Sequence, residues 1–222
     1  MLIAPCSKNG KYCKINAKLI VIDPGHNYGG DYGAESTFNG VKYSETVMNL
    51  AVALRLESTL KAQGYSVVLT RSALERSTLD LNTSLNNRAL IANSLNADLF
   101  ISIHHNASPS SSATGSEVYY TQRTTPDDGF PAQNADKISR ASDLAGATAS
   151  SISANTGFSN KGAKGDVDTL GYSLSVLRNT KMPAILIECG FLTNPTEASL
   201  LNNPAVQQAT ANGINAAVRG RF

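Results

Sequence analysis

Short apolar segments alternate along the chain with longer segments in which apolar residues recur every three or four positions. The first short segment, residues 19–22, is rich in β-branched residues and is followed by Pro24 and Gly25. This pattern is typical of a strand that is buried in a parallel sheet. The apolar segments together predict six strands, at residues 19–22, 65–70, 98–106, 115–121, 174–177 and 183–189.

The longer segments predict helices. The first is expected to lie between an N-cap at Ser44 and a C-cap at Gly64, with Glu45 in its first turn. Its predicted apolar face consists of Val47, Leu50, Ala51, Leu54 and Leu60. Further helices are expected at about residues 84–96, at about 135–155, and from Pro204 to the C-terminus. The Gly- and Lys-rich segment 160–171 is expected to be mobile.

Strands that alternate with helices predict an α/β fold. We expect a single domain with a twisted, mostly parallel sheet of about six strands, flanked by helices on both faces. The 222 residues suit one such domain. Residues 1–17 are expected to form an N-terminal arm, and residues 18–222 the domain itself.

Composition narrows the class of protein. A net charge of +2 without clustered Lys and Arg argues against a nucleic-acid partner. No apolar run approaches the ~20 residues of a membrane span, and residues 1–16 lack the apolar core of a signal peptide. Cys6 and Cys13 are close enough in sequence to close a small disulfide loop in an oxidising compartment, whereas Cys189 is expected to be a buried free thiol.

Polar residues with catalytic potential lie at the ends of the predicted strands. His26 follows the first strand, the pair His104 and His105 ends the third, and Glu188 lies near the end of the last. Open α/β sheets bind their ligands at this edge. Together with Glu45, two histidines and a carboxylate form a typical catalytic zinc site with one coordination position left open. A second carboxylate is then available as general base.

Each of these residues also has a structural interpretation. Glu45 would favour the positive end of its helix, and Glu188 would form a buried ion pair with Arg178. His104 and His105 point to opposite faces of a strand, so only one of them readily faces a given metal. The glycine-rich loop 25–30 fits neither of the common phosphate-binding motifs, which argues against nucleotide binding.

Several segments in order resemble the zinc-dependent N-acetylmuramoyl-L-alanine amidases of the type 3 family. The similarity extends from Lys18 to about Leu201. It is carried by Ile-Asp-Pro-Gly-His (22–26), Glu45, Leu-Thr-Arg (69–71), Asn-Arg (87–88), Ala-Asn (92–93), Ala-Asp-Leu-Phe-Ile-Ser-Ile-His (97–104), Gly-Ser-Glu-Val-Tyr-Tyr (115–120), Val-Leu-Arg (176–178) and Pro-Ala-Ile-Leu-Ile-Glu-Cys-Gly-Phe-Leu-Thr-Asn (183–194).

The resemblance implies that His26, Glu45 and His104 hold one zinc ion and that Glu188 is the catalytic carboxylate. The family hydrolyses the amide between the lactyl group of N-acetylmuramic acid and L-alanine of the peptidoglycan stem peptide. Glu188 would take a proton from the attacking water and return it to the alanine nitrogen. Asn106 and Arg178 are assigned to substrate binding.

The resemblance also implies peptidoglycan as the partner of a monomeric, extracytoplasmic protein, which is secreted, periplasmic, wall-associated or a phage-type lysin. The segment from Gln122 to Asn134 is too short for an inserted plug helix, so we expect an open groove. Two alternatives remain, a zinc peptidase that cuts within the stem peptide and a non-catalytic domain that binds wall fragments.

Overall fold

A computed structural model describes residues 3–5, 12–14, 17–27, 30–74, 79–125, 130 and 133–222. The strands in chain order are β1 (Ile3–Pro5), β2 (Tyr12–Lys14), β3 (Leu19–Pro24), β4 (Glu35–Phe38), β5 (Val41–Ser44), β6 (Ser66–Leu69), β7 (Leu99–Asn106), β8 (Ser116–Tyr120), β9 (Asn160–Gly165) and β10 (Ala184–Phe191). The helices are α1 (Glu45–Ala62), α2 (Leu81–Ser94), α3 (Ala135–Thr156), α4 (Asp166–Leu170), α5 (Ser175–Arg178), α6 (Pro195–Leu201) and α7 (Pro204–Arg219).

Six of the described strands form the central sheet, in the order β6-β3-β7-β10-β8-β9. Neighbouring strands pair in parallel except β10 and β8, which pair antiparallel. The carboxyl ends of β3, β7 and β10 therefore meet at one edge of the sheet. The predicted single α/β domain with a mostly parallel six-stranded sheet is confirmed.

The sheet is covered by helices on both faces. Alternate residues of the central strands pack on two cores. One core contains Ile22, Ile103 and Ile187 against α1, α3 and α7, and the other contains Phe100 and Leu186 against α2 and α5. Because both faces are covered, the central strands are apolar in nearly every position, as the sequence pattern predicted.

The predicted apolar face of α1 is wrong in part. Val47 and Leu54 are 47% and 42% exposed, whereas Leu56 and Leu60 are buried. The buried face begins at Glu45 and Asn49 and continues through Val52, Leu56 and Leu60. These residues follow one another at intervals of three or four positions, which is about one turn of helix. The pattern of apolar residues alone does not indicate this face, because the face begins with polar residues.

Residues 174–177 do not form the predicted strand. Instead they belong to a turn of helix, α5, in which the amides of Leu177 and Arg178 both donate to the carbonyl of Leu174 at 3.0 Å. A four-residue segment with three apolar residues does not distinguish a strand from a buried helical turn.

Residues 160–171, predicted to be a mobile segment, contain β9 and α4. Strand β9 lies at the edge of the sheet, where lysine and glycine are common and few side chains are buried. The hairpin of β4 and β5 and the helix α6 were also missed.

Strands β1 and β2, which precede the central sheet, pair antiparallel with each other. The division of the chain into an arm of residues 1–17 and a domain of residues 18–222 stays a prediction. Cys6 lies outside the described residues, so the disulfide with Cys13 stays a prediction. Cys189 is a buried free cysteine, as predicted. Among the described residues, no helix combines the length and the hydropathy of a membrane span.

A matched pair of substitutions on α1 tests the observed burial. We expect Leu56→Ala to lower the free energy of unfolding by about 2–5 kcal/mol, because it leaves a cavity in the core. Leu54→Ala, two residues away on the exposed face, is expected to change it by less than about 0.5 kcal/mol. Urea denaturation of both variants measures the difference, and equal losses would contradict the orientation of the helix.

Candidate metal centre

The loop that follows β3 is fixed by Arg71. Its guanidinium group donates at 2.9 Å to the backbone carbonyls of Pro24, Gly25 and Thr46, which ties the end of β3 to the start of α1. His26 lies in this loop with a φ of 64°. A histidine in the left-handed region costs conformational energy, which the surrounding hydrogen bonds must offset.

Glu45 is the first residue of α1, and it is hydrogen-bonded to Ala34, which directly precedes β4. The Glu45 amide donates to the Ala34 carbonyl at 2.9 Å, and Glu45 Oε2 accepts from the Ala34 amide at 2.7 Å. Glu45 Oε1 accepts from the backbone amide of His105 at 3.1 Å. The carboxylate therefore joins the loop, the helix and strand β7, and it lies at the positive end of the helix dipole.

His26, Glu45 and His104 form a compact cluster of potential metal ligands. His26 Nε2 and His104 Nδ1 each lie 3.0 Å from Glu45 Oε1, and the two nitrogens are 3.1 Å apart. Ligands that surround Zn²⁺ tetrahedrally at 2.0–2.1 Å are about 3.3 Å from one another. The three donor atoms thus fit a zinc ion after a small outward movement, and the donor set of two imidazoles and one carboxylate suits it.

Two glycines leave room for these ligands. A Cβ on Gly25 would lie 2.2 Å from His104 Nε2, and a Cβ on Gly33 would lie 2.6 Å from Glu45 Oε2. Gly33 also has a φ of +66°, which side chains rarely adopt. At both positions the backbone lies so close to an imidazole or carboxylate group that any residue with a Cβ would clash with it.

A second set of side chains orients the candidate ligands. Asp31 Oδ1 lies 2.6 Å from His26 Nδ1, so the proton of His26 is placed on Nδ1 and Nε2 faces the cluster. His105 points away from the cluster and is buried, and its Nδ1 is 2.7 Å from Asn49 Oδ1. Asn49 in turn donates to the Gly25 carbonyl at 3.2 Å.

The pKa values of the cluster residues are shifted by burial and by the contacts among these residues. Burial opposes the charged form of His26, but hydrogen bonds to Asp31 and Glu45 outweigh it and raise its pKa to about 9. Burial also opposes ionisation of Glu45, yet contacts with His104 and His26 lower its pKa. Burial lowers the pKa of His104, and it lowers that of His105 to about 4.

Glu188 lies beside the cluster. It is the register partner of His104 on the parallel strand β7 and of Glu117 on the antiparallel strand β8. Its Oε2 is buried and has no hydrogen-bond partner among the described residues. Burial, followed by the charges of Glu45 and Glu117, raises the pKa of Glu188 well above its ordinary value.

The other sequence-predicted residues lie near the cluster but not in it. The Arg178 guanidinium donates to the Ser173 carbonyl, and the described contacts include no ion pair between Arg178 and Glu188. Asn106 lines the cavity at the cluster, but its Nδ2 donates to Glu117 at 2.8 Å. Both residues therefore have roles within the fold, and substrate contact remains a prediction for each.

Glu117, Asp31 and Gly33 were missed at the level of sequence. Glu117 is buried, and its oxygens contact Asn106 Nδ2, the Tyr119 hydroxyl at 2.9 Å and Lys164 Nζ at 2.6 Å. It belongs to the segment Gly-Ser-Glu-Val-Tyr-Tyr, and its position two residues before Tyr119 places both on one face of β8. That alternation was the available signal.

The cluster opens into a cavity of about 380 Å³, which we call the metal groove. Its walls include Glu188, Tyr119, Leu170 and Tyr172 in addition to the three candidate ligands. The predicted absence of a plug helix depends on the segment between β8 and α3. Residues 126–129 and 131–132 of that segment lie outside the described part, so the open groove stays a prediction.

Fold and site together define an α/β domain with a candidate metal centre at the carboxyl edge of its sheet. A family model described as N-acetylmuramoyl-L-alanine amidase (Amidase_3) matches residues 20–220. The chain therefore belongs to this amidase family, as its motifs indicated.

Individual relatives agree with this assignment. N-acetylmuramoyl-L-alanine amidase LytC of Bacillus subtilis is 35% identical over 198 residues, which is 89% of this chain and 34% of LytC. The probable cell wall amidase LytH of Staphylococcus saprophyticus is 32% identical over 213 residues, 94% of this chain and 61% of LytH. The chain thus spans about a third of the length of LytC and about three fifths of the length of LytH.

The fold has a solved counterpart. The crystal structure of an N-acetylmuramoyl-L-alanine amidase from Clostridium difficile 630 is similar with a TM-score of 0.75 and 33% identity. The similarity covers 93% of this chain and 97% of that one, so the comparison includes almost the whole domain.

Substitution of Gly25 tests the close approach at His104. We expect Gly25→Ala to weaken zinc binding roughly tenfold or more, because the new Cβ displaces a ligand ring. Gly146→Ala on α3, where a Cβ meets nothing within 4 Å, is the control and is expected to bind zinc normally. Competition titration with a chromogenic chelator measures both affinities. Unchanged binding by Gly25→Ala would refute this role of the glycine.

Zinc binding is expected to release about one proton per chain at pH 7, because His26 with a pKa of about 9 is protonated in the metal-free chain. The part of the apparent affinity that depends on deprotonation of His26 should therefore rise about tenfold per pH unit up to about pH 9 and then level off. In the metal-free chain, charged His26 stabilises the fold fully below its ordinary pKa of 6.5, and this contribution is lost towards pH 9.

Calorimetry in buffers of different ionisation enthalpy counts the released protons. Asp31→Asn is expected to reduce the number, because it removes the carboxylate whose hydrogen bond is the largest of the contributions that raise the pKa of His26. Asp143→Asn, which removes an exposed partner of Arg221, is the matched control. Zinc binding without proton release would contradict the assignment of His26.

Proposed function

We propose that this chain is a zinc-dependent peptidoglycan hydrolase that cleaves the amide between the lactyl group of N-acetylmuramic acid and L-alanine of the stem peptide. The observation that carries this proposal is the convergence of His26, Glu45 and His104 within 3.1 Å of one another, beside Glu188, in a member of the amidase family. His26, Glu45 and His104 would hold one zinc ion.

Zinc, when bound, supplies Lewis acidity and makes water nucleophilic near neutral pH. Glu188 is the general base and acid of the proposed reaction. Its raised pKa brings it closer to neutrality than an exposed carboxyl group, which suits a group that must accept a proton from water and then donate it to the departing alanine nitrogen. Glu45 and Asp31 keep His26 in place throughout the reaction.

The proposed partner is peptidoglycan, and the proposed location is extracytoplasmic. The relatives support this, since LytH of Staphylococcus saprophyticus is a probable cell wall amidase. We propose that the protein acts as a monomer, that it has no nucleic-acid partner, and that Asn106 and Arg178 contact the substrate.

Digestion of purified peptidoglycan tests the proposal. The zinc-loaded chain is expected to release new amino termini of L-alanine, and a chelator should abolish the release. Glu188→Gln is expected to lose at least about a thousandfold in rate while it still binds zinc, because the proton acceptor and donor is missing.

The pattern of products separates the alternatives. New amino termini deeper in the stem peptide would indicate a peptidase, and binding without any new termini would indicate a wall-binding domain. Glu188→Asp is the conservative comparison, since it keeps the carboxylate and shortens its reach. Full activity of Glu188→Gln would remove Glu188 from the mechanism.

A further inference from the structure

Tyr172 lies on the boundary between two cavities at the candidate metal centre. One is the metal groove, and the other is a neighbouring cavity of about 560 Å³ that His26 and His104 also line. Tyr172 is 61% exposed, which is the largest exposed fraction of any large hydrophobic residue in the described part of the chain. The fold therefore leaves in water an aromatic ring that lies beside the candidate centre, where a substrate would reach it.

The other apolar residues of the groove wall are occupied by the fold. Leu170 and Leu174 line the groove on either side of Tyr172 in sequence, but both are partly buried and pack against the core. Tyr119 also lines the groove, yet it is only 6% exposed and its hydroxyl donates to Glu117 at 2.9 Å. Among the described lining residues, Tyr172 is therefore the tyrosine whose ring is open to a ligand.

The backbone that carries Tyr172 is held in place before any ligand binds. The next residue, Ser173, is buried, and its hydroxyl donates to the carboxylate of Asp166 at 2.8 Å. Asp166 is fully buried and also accepts from the amides of Leu174 at 2.9 Å and Gln122 at 3.1 Å. A ring that is presented by a fixed backbone loses less entropy on binding than one on a mobile loop.

The charge of the metal groove favours a neutral group beside Tyr172. The described lining residues include the carboxylates of Glu45 and Glu188 but no lysine or arginine. Lys164, which lies behind the wall, is paired with Glu117 at 2.6 Å. The groove wall thus offers no cationic side chain to a ligand carboxylate, whereas hydroxyl groups and C–H groups meet no opposing charge there.

The two halves of the proposed substrate differ in this respect. The stem peptide carries carboxylates, whereas the muramoyl sugar has neutral hydroxyl groups and a pyranose ring with apolar C–H faces. Only the short lactyl ether separates the scissile carbonyl from that ring, so the sugar must lie within reach of the groove wall when the carbonyl is at the candidate metal centre. The negative face of an aromatic ring attracts such C–H groups.

We propose that Tyr172 is a specificity-determining residue, whose ring stacks on the pyranose ring of N-acetylmuramic acid and favours substrates that carry the sugar. This inference rests on the proposed amidase function. It deepens that function, because it assigns to one side chain the recognition of the glycan half of the substrate.

Two soluble substrates test the inference. They share the lactyl group and the peptide, and only one of them carries the muramoyl sugar. The zinc-loaded chain is expected to prefer the muramoyl substrate roughly tenfold in kcat/KM. Tyr172→Ala should bring the ratio close to one by slowing hydrolysis of the muramoyl substrate alone, and Tyr172→Phe, which keeps the ring, should retain the preference.

Val167→Ala is the matched control. Val167 belongs to α4, is 39% exposed and lines neither cavity, so its substitution should leave the ratio unchanged. Because Tyr172 is exposed, Tyr172→Ala is expected to keep the urea denaturation midpoint of the unchanged chain. A lower ratio then reports a lost contact with the sugar and not a loss of folded protein.

Binding measurements separate this inference from the proposed function. Calorimetry with Glu188→Gln, in the presence and absence of Tyr172→Ala, gives the Kd of both substrates without turnover. Tighter binding of the muramoyl substrate that depends on Tyr172, without hydrolysis of either substrate by the unsubstituted chain, would support the role of Tyr172 and refute the amidase activity.

Three results would overturn the role of Tyr172. The first is equal kcat/KM and equal Kd values for the two substrates. The second is an equal loss on both substrates in Tyr172→Ala, which would indicate a contact with the shared lactyl-peptide part. The third is a loss of the preference in Tyr172→Phe, which would assign it to the hydroxyl group and not to stacking of the ring.

Discussion

The interactions of the Glu45 carboxylate are the constraint on which the candidate centre depends. One oxygen accepts from the Ala34 amide, and the other accepts from the His105 amide and lies 3.0 Å from both His26 and His104. A buried carboxylate is tolerated only when such partners replace water. The Glu45 carboxylate therefore links the first turn of α1 to the end of β7 and to both histidines, alongside the Arg71 contacts that tie the loop after β3 to α1. The candidate ligands are brought together by contacts that also stabilise the fold.

Much of this arrangement was predictable because it is local in sequence. Apolar segments define β3, β7 and β10, and polar residues at their ends identify His26, His104 and Glu188. The carboxyl ends of parallel strands must meet, so these residues were expected to lie close together. Alternation of side chains allowed only one of His104 and His105 to face the site, and the choice of His104 came from the resemblance to the family; the structure places His105 against Asn49.

The remaining features depend on contacts between distant segments. Glu117 lies opposite Glu188 only because β8 runs antiparallel to β10, which no local pattern indicates. A cavity beside the candidate metal centre combines Arg88 of α2 with Arg123 and Arg178, residues far apart in sequence. The rotation of α1 was mispredicted because its buried face starts with polar residues, whose burial is explained only by the site they form.

The alternation along β10 has a chemical consequence at its end. Glu188 faces the metal groove, whereas the next residue, Cys189, is buried in the core as a thiol whose pKa is raised by burial. A slip of one residue in the pairing of β10 would exchange the two faces and present sulfur, a strong zinc ligand, in place of the carboxylate. The packing of Ile185 and Ile187 in the core therefore does more than stabilise the sheet. It also determines whether a carboxylate oxygen or a thiol sulfur faces the candidate metal centre.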